Sequence, residues 1–342
     1  MKTFEGSSSF AAAAAAPAAP LALAIGNFDG VHRGHAALIQ AARAKAAAGG
    51  RAGVLTFTPH PARVFAPALA PPLIMSLARR LELLDAAGVD VAVVEPFTRE
   101  YAAVEAEDFV RDVLVGRLHA RDVVVGYDFS FGRARRGDPA MLARLGAELG
   151  VSVTVVAPVL ADGLVCSSTK IREFVLEGRV EGAALLLGRP FEITGPVGRG
   201  AGRGRGLGIP TANIAPEGEL WPRLGIYAGR ATLLDEPGAS DDDLGDPGRA
   251  PAPPRDGLRR AKPGSAHATY RAALSVGSNP TFVSGGAVSI EAHLLDFDGD
   301  LYGRRLRVEV LHRLREERRF ESVDALVAQI QADIAQVRTL VP

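Results

Sequence analysis

The sequence has little cysteine, no excess of charge of either sign and no long apolar run. Cys166 is the single cysteine among 342 residues, so no internal disulfide can form, which fits a reducing cytoplasm. Basic and acidic residues number 39 each, so no global field favours nucleic acid or a membrane surface, and we expect neither as a partner. No stretch is long and apolar enough to span a membrane. We therefore expect a cytoplasmic protein in which any phosphate chemistry uses local clusters of positive charge.

Residues 1–20 carry little that predicts a fold. An alanine run that begins at Ala11 has some likeness to a secretory signal. Glu5 is acidic, however, and Pro17 and Pro20 interrupt the apolar stretch. We interpret residues 1–20 as a disordered leader rather than as a signal that is cleaved.

From Leu21 to Leu185, short apolar runs alternate with helical patterns. This alternation predicts an α/β fold, with a Rossmann-like parallel sheet, helices on both faces and ligands at the carboxyl ends of the strands. The predicted strands are Leu21–Ile25, Gly53–Phe57, Val89–Val94, Val123–Val125 and Val151–Val156. The predicted helices are His35–Ala48, Ser76–Ala87, Ala106–Leu118 and Pro139–Leu149.

From residue 186 to residue 342, glycine and proline become dense and the helical periodicity gives way to short β-type runs. Their spacing predicts a small antiparallel β-barrel domain, followed by a C-terminal helix over Val323–Val337. Asp235–Gly264 has too few apolar residues to pack, so we predict a disordered insertion between two strands. The predicted strands are Phe191–Gly195, Gly225–Thr232, Tyr270–Val276, Ser289–Leu295 and Leu306–Leu314.

A glycine- and histidine-rich run, Gly26–His35, follows the first predicted strand and opens the first predicted helix. Gly30 and Gly34 let the backbone approach a ligand closely, and a helix start offers N–H groups that suit a triphosphate. His32 and His35 share one face there, where imidazoles can bind the phosphate oxygens that gain charge during nucleotidyl transfer. The alternatives are a chance spacing or a metal pair, although no further Cys or His lies close in sequence to complete a zinc site.

Two further segments end predicted strands at the same edge of the sheet. The first contains His60, and the second contains Asp128, Phe129 and Phe131. Asp128 can accept a hydrogen bond from a ring N–H, and the two phenylalanines can stack on a flat heterocycle. The alternative interpretation assigns both phenylalanines to the hydrophobic core.

The run Ser167–Arg172 has the pattern of a helix start whose hydroxyls and amides face phosphate. Arg172 would add a fixed positive charge to that surface. The alternative is that Ser168 serves only as a helix cap.

Together and in this order, these segments resemble the adenylyltransferase half of bacterial bifunctional riboflavin kinase/FAD synthetases over about residues 21–185. The resemblance implies a nucleotidyltransferase domain in which the G-x-F-D-G-V-H-x-G-H and S-S-T-x-I-R segments hold ATP. The implied ATP contacts are Gly26, Phe28, Asp29, Gly30, His32, Gly34, His35, Ser167, Ser168, Thr169 and Arg172, with His32 and His35 catalytic. The expected flavin contacts are His60, Asp128, Phe129 and Phe131.

A second phosphate-binding pattern lies in the glycine-rich run Gly195–Asn213. Its bare backbone amides can form an anion-binding nest, to which Arg203 and Arg205 add charge. The run is neither a Walker A loop nor a dinucleotide fingerprint. Thr211 and Asn213 supply hard oxygen ligands of the kind that Mg²⁺ accepts. The alternative is a flexible low-complexity stretch.

Downstream, Ser289–Phe297 alternates as a strand does, so Glu291 and His293 share one face. A carboxylate beside a bound triphosphate can take the proton from an attacking hydroxyl. The alternative is a surface glutamate on a half-buried strand.

This second half resembles the riboflavin kinase domain of the same enzymes over about residues 186–340. The resemblance implies Glu291 as the catalytic base and Thr211 and Asn213 as Mg²⁺ ligands. We therefore predict that the chain phosphorylates riboflavin to FMN and adenylylates FMN to FAD, with ATP as co-substrate and Mg²⁺ as cofactor. The implied ATP contacts of the kinase are Gly200, Gly202, Arg203, Gly204, Arg205, Gly208, Pro210, Thr211 and Asn213.

Two other functions stay open at this point. A different nucleotidyltransferase with an accessory barrel would share the paired histidines, but it leaves Thr211, Asn213 and Glu291 without a role. A non-enzymatic flavin- or RNA-binding regulator could keep the fold, but it would need no catalytic base. The sequence does not indicate the oligomeric state.

Overall fold

The computed structural model describes residues 1–13, 19–46, 49–199, 208–234, 268–278 and 288–342. Two compact units make up the chain: Met1–Ile171 with Leu186–Gly188, and Arg172–Leu185 with Arg189–Pro342. The predicted insertion and part of the predicted kinase phosphate site lie outside the described residues. These are Asp235–Gly264, Gly200, Gly202, Arg203, Gly204 and Arg205.

The first unit contains a parallel sheet, as the sequence predicts. Its strands are β1 (Lys2–Glu5), β2 (Leu21–Ile25), β3 (Arg51–Thr58), β4 (Val91–Pro96), β5 (Ala120–Gly126) and β6 (Ser152–Val156). Their order is β1-β4-β3-β2-β5-β6, and every pairing is parallel. The chain moves outward from β2 through β3 to β4 and returns to the other side at β5. Ligands of such sheets bind at this switch point, beyond the carboxyl ends of β2 and β5.

The sheet is accompanied by helices and by a short hairpin of β7 (Leu160–Ala161) and β8 (Leu164–Val165). The helices of this unit are α1 (Gly6–Ala13), α2 (Arg33–Ala46), α3 (Pro61–Phe65), α4 (Leu77–Ala86), α5 (Arg99–Ala102), α6 (Ala106–Asp108) and α7 (Pro139–Glu148). Helix α8 (Ser168–Leu176) begins in the first unit and continues into the second, which also contains most of α9 (Val180–Leu187). A π-helical segment, Phe109–Arg117, continues α6 where the sequence predicts an ordinary helix. Every residue of β2 is buried, as expected for a central strand covered on both faces.

The prediction of a disordered leader is wrong for residues 2–13. β1 adds a sixth strand to the sheet edge along β4, with Phe4 opposite Val93. Phe10 of α1 is 2% exposed and packs edge-on against Phe4, with ring centroids 5.2 Å apart. The N–H of Ser7 donates to a carboxylate oxygen of buried Glu95 at 2.7 Å. Pairing with a distant strand creates this structure, and a four-residue strand carries too short a pattern to predict it.

The second unit contains the predicted antiparallel barrel and C-terminal helix. Its strands pair around a closed ring in the order β10-β13-β12-β11-β14-β9, all antiparallel. They are β9 (Phe191–Gly198), β10 (Ala212–Ile214), β11 (Gly225–Leu233), β12 (Thr269–Ser278), β13 (Val288–Leu294) and β14 (Arg305–Arg315), and the helix is α10 (Val323–Leu340). Burial alternates along β13, so Ile290 and Ala292 face the packed interior and Glu291 faces outward.

An ion pair fastens α10 to the barrel. Asp333 is 3% exposed and receives two guanidinium bonds from Arg315, at 3.0 Å from Nε and 2.7 Å from Nη2. The side-chain amide of Gln329 donates to the same carboxylate at 2.8 Å. A buried charge held by this many donors is costly to leave unpaired. None of the helices in the described ranges is both long and apolar enough to cross a membrane.

We predict that Asp333→Ala lowers the free energy of unfolding of the second unit by about 3 kcal/mol, because the largely buried guanidinium of Arg315 would lose its counter-charge and Gln329 would lose its acceptor. Trp221 is the single tryptophan and lies in this unit, so its fluorescence during urea unfolding measures the effect. Glu321→Ala, at an exposed position just before α10, is the control and should change the free energy by less than about 0.5 kcal/mol. Equal effects of the two substitutions would contradict the anchoring role.

Candidate active sites

The first candidate site lies where α2 begins, beyond the carboxyl end of β2. Nδ1 of His32 accepts the backbone N–H groups of Gly34 and His35, at 3.1 and 3.3 Å. Nδ1 of His35 lies 3.4 Å from the backbone nitrogen of His32, and the two rings stack with centroids 3.7 Å apart. This is the geometry of a reciprocal capping box, with imidazoles in place of the usual hydroxyl and carboxylate. Because Nδ1 accepts, the neutral rings carry their proton on Nε2.

Gly34 lies in a tightly packed place at the start of α2. A Cβ atom there would lie 3.0 Å from Cε1 of His32 and 3.2 Å from the backbone oxygen of Cys166. A side chain at this position would therefore have to displace the ring of His32 or the segment at Cys166 by a few tenths of an ångström.

Asp29 connects the loop after β2 to two other segments. Its carboxylate is 1% exposed and accepts the N–H of Ile74, with both oxygens at 3.1 Å. Its backbone oxygen accepts the hydroxyl of Ser168 at 2.8 Å, which brings the two predicted ATP segments together. Ser167 caps α8, because its Oγ accepts the N–H of Lys170 at 3.2 Å. The cap predicted at Ser168 therefore lies one residue earlier.

Arg80 of α4 is a component of this region that the sequence analysis missed. It is 4% exposed, and its Nη1 lies 3.3 Å from Oγ1 of Thr56, which donates to the backbone oxygen of Asn27 at 3.0 Å. Burial lowers the pKa of Arg80, and the charge of Asp29 opposes that shift. The sequence feature that could have indicated the burial of Arg80 is its spacing of four residues from Leu84, which puts both on the buried face of α4.

The remaining predicted residues of this site occupy varied surroundings. Phe28 is fully buried, with its ring 5.1 Å from that of His35, and Gly26 donates to the backbone oxygen of Leu55 at 3.1 Å. Gly30 has a φ of +91°, a left-handed conformation that favours glycine. In α8, Thr169 is exposed and Arg172 is buried.

The predicted flavin contacts are unequal in exposure. Asp128 is exposed, whereas Phe131 is 7% exposed and belongs to the hydrophobic core. Phe129 is partly buried and stacks on Phe131, with centroids 5.4 Å apart. Nδ1 of His60 accepts the N–H of Ala62 at 3.2 Å and caps α3. Of the two phenylalanines, Phe129 has the more accessible ring.

The second candidate site lies on the outer surface of the barrel, where β10 and β13 pair. Glu291 lies opposite Asn213 in the ladder and opposite Ser275 of β12. One carboxylate oxygen accepts the hydroxyl of Thr211 at 3.0 Å, and the other accepts that of Ser289 at 3.3 Å. The three residues Thr211, Asn213 and Glu291 thus come together, as the resemblance implies.

The chain just before β10 is also fixed to β13. Nδ1 of His293 lies 2.8 Å from the backbone oxygen of Pro210, and Gly208 has a φ of +74°. His293 shares the outer face with Glu291, as the alternation predicts. Within the described ranges, no group of three or more His, Cys, Asp or Glu side chains is arranged to hold a metal ion.

Known protein families match both halves of the chain. The family described as FAD synthetase matches residues 15–170, and riboflavin kinase matches residues 187–341. The bifunctional riboflavin kinase/FMN adenylyltransferase of Escherichia coli (strain K12) is 36% identical over 323 residues, which cover 93% of this chain and 92% of that protein. The chain belongs to the bifunctional riboflavin kinase/FMN adenylyltransferase family. The member from Pseudomonas fluorescens is 37% identical over 317 residues, covering 92% and 91% of the two chains.

This family membership gives the activity. The enzyme phosphorylates riboflavin with ATP to FMN, and adenylylates FMN with ATP to FAD with release of pyrophosphate. The member from Bacillus subtilis (strain 168) is 30% identical over 317 residues, covering 91% of this chain and 89% of that protein. The crystal structure of a macrolide-efflux protein from Streptococcus pneumoniae has a TM-score of 0.78 and 28% identity over 98% of each chain.

We predict that Arg80→Met destabilises the first unit by about 3 kcal/mol and slows formation of FAD from FMN. The reason is that Asp29 would lose the buried positive charge near it. Circular dichroism during urea unfolding measures the loss of stability. An unfolding transition that leaves the fluorescence of Trp221 unchanged belongs to the first unit, because Trp221 lies in the second. Arg144→Met, which removes an exposed ion pair with Glu148, is the control and should cost less than about 1 kcal/mol. An Arg80→Met protein as stable as this control would contradict the prediction.

Proposed function

We propose that the two reactions use separate groups, one set in residues 21–185 and the other in residues 186–342. In this proposal, residues 21–185 carry adenylyl transfer at the start of α2, and residues 186–342 carry phosphoryl transfer on the outer face of β10 and β13. The observation that carries the assignment is the pair of reciprocally bonded histidines in one unit and the Thr211–Glu291 hydrogen bond in the other. Substitutions that stop one step and spare the other test it.

In adenylyl transfer, a phosphate oxygen of FMN attacks the α-phosphorus of ATP. The new P–O bond forms as the bond to the β-phosphate breaks, and pyrophosphate leaves. His32 and His35 would donate from Nε2 to phosphate oxygens that gain charge in the transition state. This role is supported by the acceptor function of both Nδ1 atoms, which assigns the proton of each neutral ring to Nε2. Gly26, Phe28, Asp29, Gly30, Gly34, Ser167, Ser168, Thr169 and Arg172 complete the proposed ATP site.

The flavin of this step would be held beyond the carboxyl ends of β3 and β5. His60, Asp128 and Phe129 are the contacts with the best support, because Phe129 has a partly accessible ring and Asp128 is exposed. Phe131 would support Phe129 from the core rather than face the flavin, since its own ring is buried.

In phosphoryl transfer, the terminal ribityl hydroxyl of riboflavin attacks the γ-phosphorus of ATP. The new O–P bond forms, ADP leaves, and the hydroxyl proton passes to a carboxylate oxygen of Glu291. A carboxylate has about four lone-pair sites, so the hydrogen bonds from Thr211 and Ser289 orient Glu291 and leave capacity to accept that proton. The pleat of β13 also fixes its direction.

Mg²⁺ fits the groups beside Glu291. The hydroxyl of Thr211 and the side-chain oxygen of Asn213 are hard oxygen donors next to a carboxylate, and Mg²⁺ commonly binds few protein ligands together with substrate phosphates. When bound, it neutralises negative charge on the phosphates of ATP. Gly208 and Pro210 lie next to this position along the chain, and Gly200, Gly202, Arg203, Gly204 and Arg205 stay predicted ATP contacts. A cytoplasmic location stays a prediction.

We predict that His32→Asn and His32→Ala both slow FAD formation from FMN about 10²- to 10³-fold, because each removes a donor to the reacting phosphates. Asn can still cap α2, whereas Ala cannot, so only the Ala variant should also lose about 1 kcal/mol of stability. Chromatography of the flavins measures the rates, and urea unfolding measures the stability. FMN formation from riboflavin by the same samples is the control and should keep the parent rate.

The two His32 variants separate a structural role from a chemical one. If His32→Asn forms FAD as fast as the parent enzyme, the ring serves only as a cap. If both products fall equally, the assignment of the two steps to separate groups is wrong.

We predict that Glu291→Gln lowers the turnover of riboflavin to FMN about 10²-fold or more, with little change in riboflavin affinity. The amide keeps the size of the side chain and removes the base. Steady-state rates with riboflavin and ATP measure the loss, and FMN supplied directly should become FAD at the parent rate. Glu309→Gln, which removes a carboxylate paired with Arg230 elsewhere on the barrel, is the matched control. Parent-like FMN formation by Glu291→Gln would exclude this residue as the base.

A further inference from the structure

We infer that His293 is a positioning residue of the kinase site, which donates from Nδ1 to the backbone oxygen of Pro210. This bond holds the segment Pro210–Asn213 in place beside Glu291. The inference rests on the proposed role of Glu291, and it assigns His293 no contact with the substrate. Its basis is the 2.8 Å distance from Nδ1 to that oxygen, together with the way the β10–β13 ladder ends.

The ladder between β10 and β13 is short: the proposed metal ligand Asn213 lies within it, and Thr211 lies one residue beyond its end. Its registered pairs are Ala212 with Ala292, Asn213 with Glu291, and Ile214 with Ile290. Continuing the same antiparallel register by one residue puts position 211 opposite position 293. Thr211 thus lies where the regular pairing ends.

Pro210 can take part in hydrogen bonding with β13 only as an acceptor. Proline has no backbone N–H, so the chain cannot extend the ladder with a donor at this residue. Its carbonyl can still accept, and the ring of His293 supplies the donor from the facing strand. A side-chain bond thereby continues the attachment of this segment beyond the last backbone pair.

The result of this attachment is the position of Thr211. The residue before it is held by His293, the residue after it is held by the ladder, and its own hydroxyl lies 3.0 Å from Glu291. Gly208, with a φ of +74° two residues before Pro210, allows a backbone conformation that other residues rarely adopt. Without the His293 bond, the hydroxyl of Thr211 would sample positions away from Glu291 and the phosphates.

The positions of the two ring nitrogens of His293 allow substitutions to test which of them acts. Nδ1 is one bond from Cγ, as is the side-chain amide nitrogen of asparagine, so His293→Asn can keep the donor to Pro210. The amide nitrogen of glutamine lies one bond further out, near the place of Nε2, so His293→Gln cannot replace Nδ1. A ring acting on substrate through Nε2 would show the opposite preference.

The experiment measures FMN formation from riboflavin at varied ATP for His293→Asn, His293→Gln and His293→Leu. We expect kcat/KM for ATP to fall roughly 5- to 10-fold in the Gln and Leu variants, as for the loss of one hydrogen bond, and to stay within about twofold of the parent in the Asn variant. FAD formation from FMN should be unchanged in all three. Trp221 fluorescence in urea verifies that the second unit remains folded.

His312 provides a matched control in the same barrel. Its Nδ1 lies 3.2 Å from a carboxylate oxygen of Glu181, at an exposed pair away from the β10–β13 ladder. His312→Leu should leave kcat/KM for ATP within about twofold of the parent, which separates the loss of one specific hydrogen bond from the general effect of removing a barrel histidine.

The possible outcomes distinguish this inference from the proposed function. A lower kcat/KM for ATP in His293→Gln and His293→Leu, with a parent-like value in His293→Asn, supports positioning through Nδ1. Rescue by Gln rather than Asn, equal loss in all three folded variants, or no loss in any of them would overturn it. If Glu291→Gln also retains the parent rate, the proposed kinase site itself is wrong, whereas a Glu291 effect without a His293 effect rejects only the positioning role.

Discussion

The hydrogen bonds between His32 and His35 are the interaction on which the proposed adenylyl-transfer site depends. The first N–H groups of a helix have no partner within the helix. Here both Nδ1 atoms meet that need at the start of α2, and the rings stack as a result. The same bonds assign the proton of each neutral ring to Nε2. A local requirement of helix capping thus sets the tautomer on which the proposed phosphate contacts rest.

The proposed kinase site fixes the direction of its central side chain, Glu291, in a different way. The interior of the barrel is filled by apolar side chains such as Ile290 and Ala292, so a charged residue between them faces outward. Glu291 gains its orientation from the hydroxyl of Thr211, on the segment before β10, and from that of Ser289, on its own strand, rather than from a helix start. Both proposed sites therefore place their side chains on a regular element, a helix start or a strand, which holds them rigidly beside a ligand.

Arg80 adds a long-range element to the first site. It brings a positive charge from α4 to Asp29 and Thr56, two residues of the predicted motif segments. Removing such a charge from water is unfavourable unless its partners compensate. The buried carboxylate of Asp29 and the hydroxyl of Thr56 offset part of that cost, and they connect the helix α4 to the loop after β2 and to β3.

The sequence by itself determined the alternation of strands and helices, the change to a barrel near residue 186, and the polar residues at strand ends. These follow from local periodicity and motif order, which do not depend on distant contacts. Only the tertiary structure decided that residues 2–5 form an edge strand, that Phe131 is core, and which partners Arg80 and His293 have. The physical reason is that a short strand, a buried charge and a side-chain bond to a carbonyl are each stabilised by groups far away in the chain, which no local pattern records.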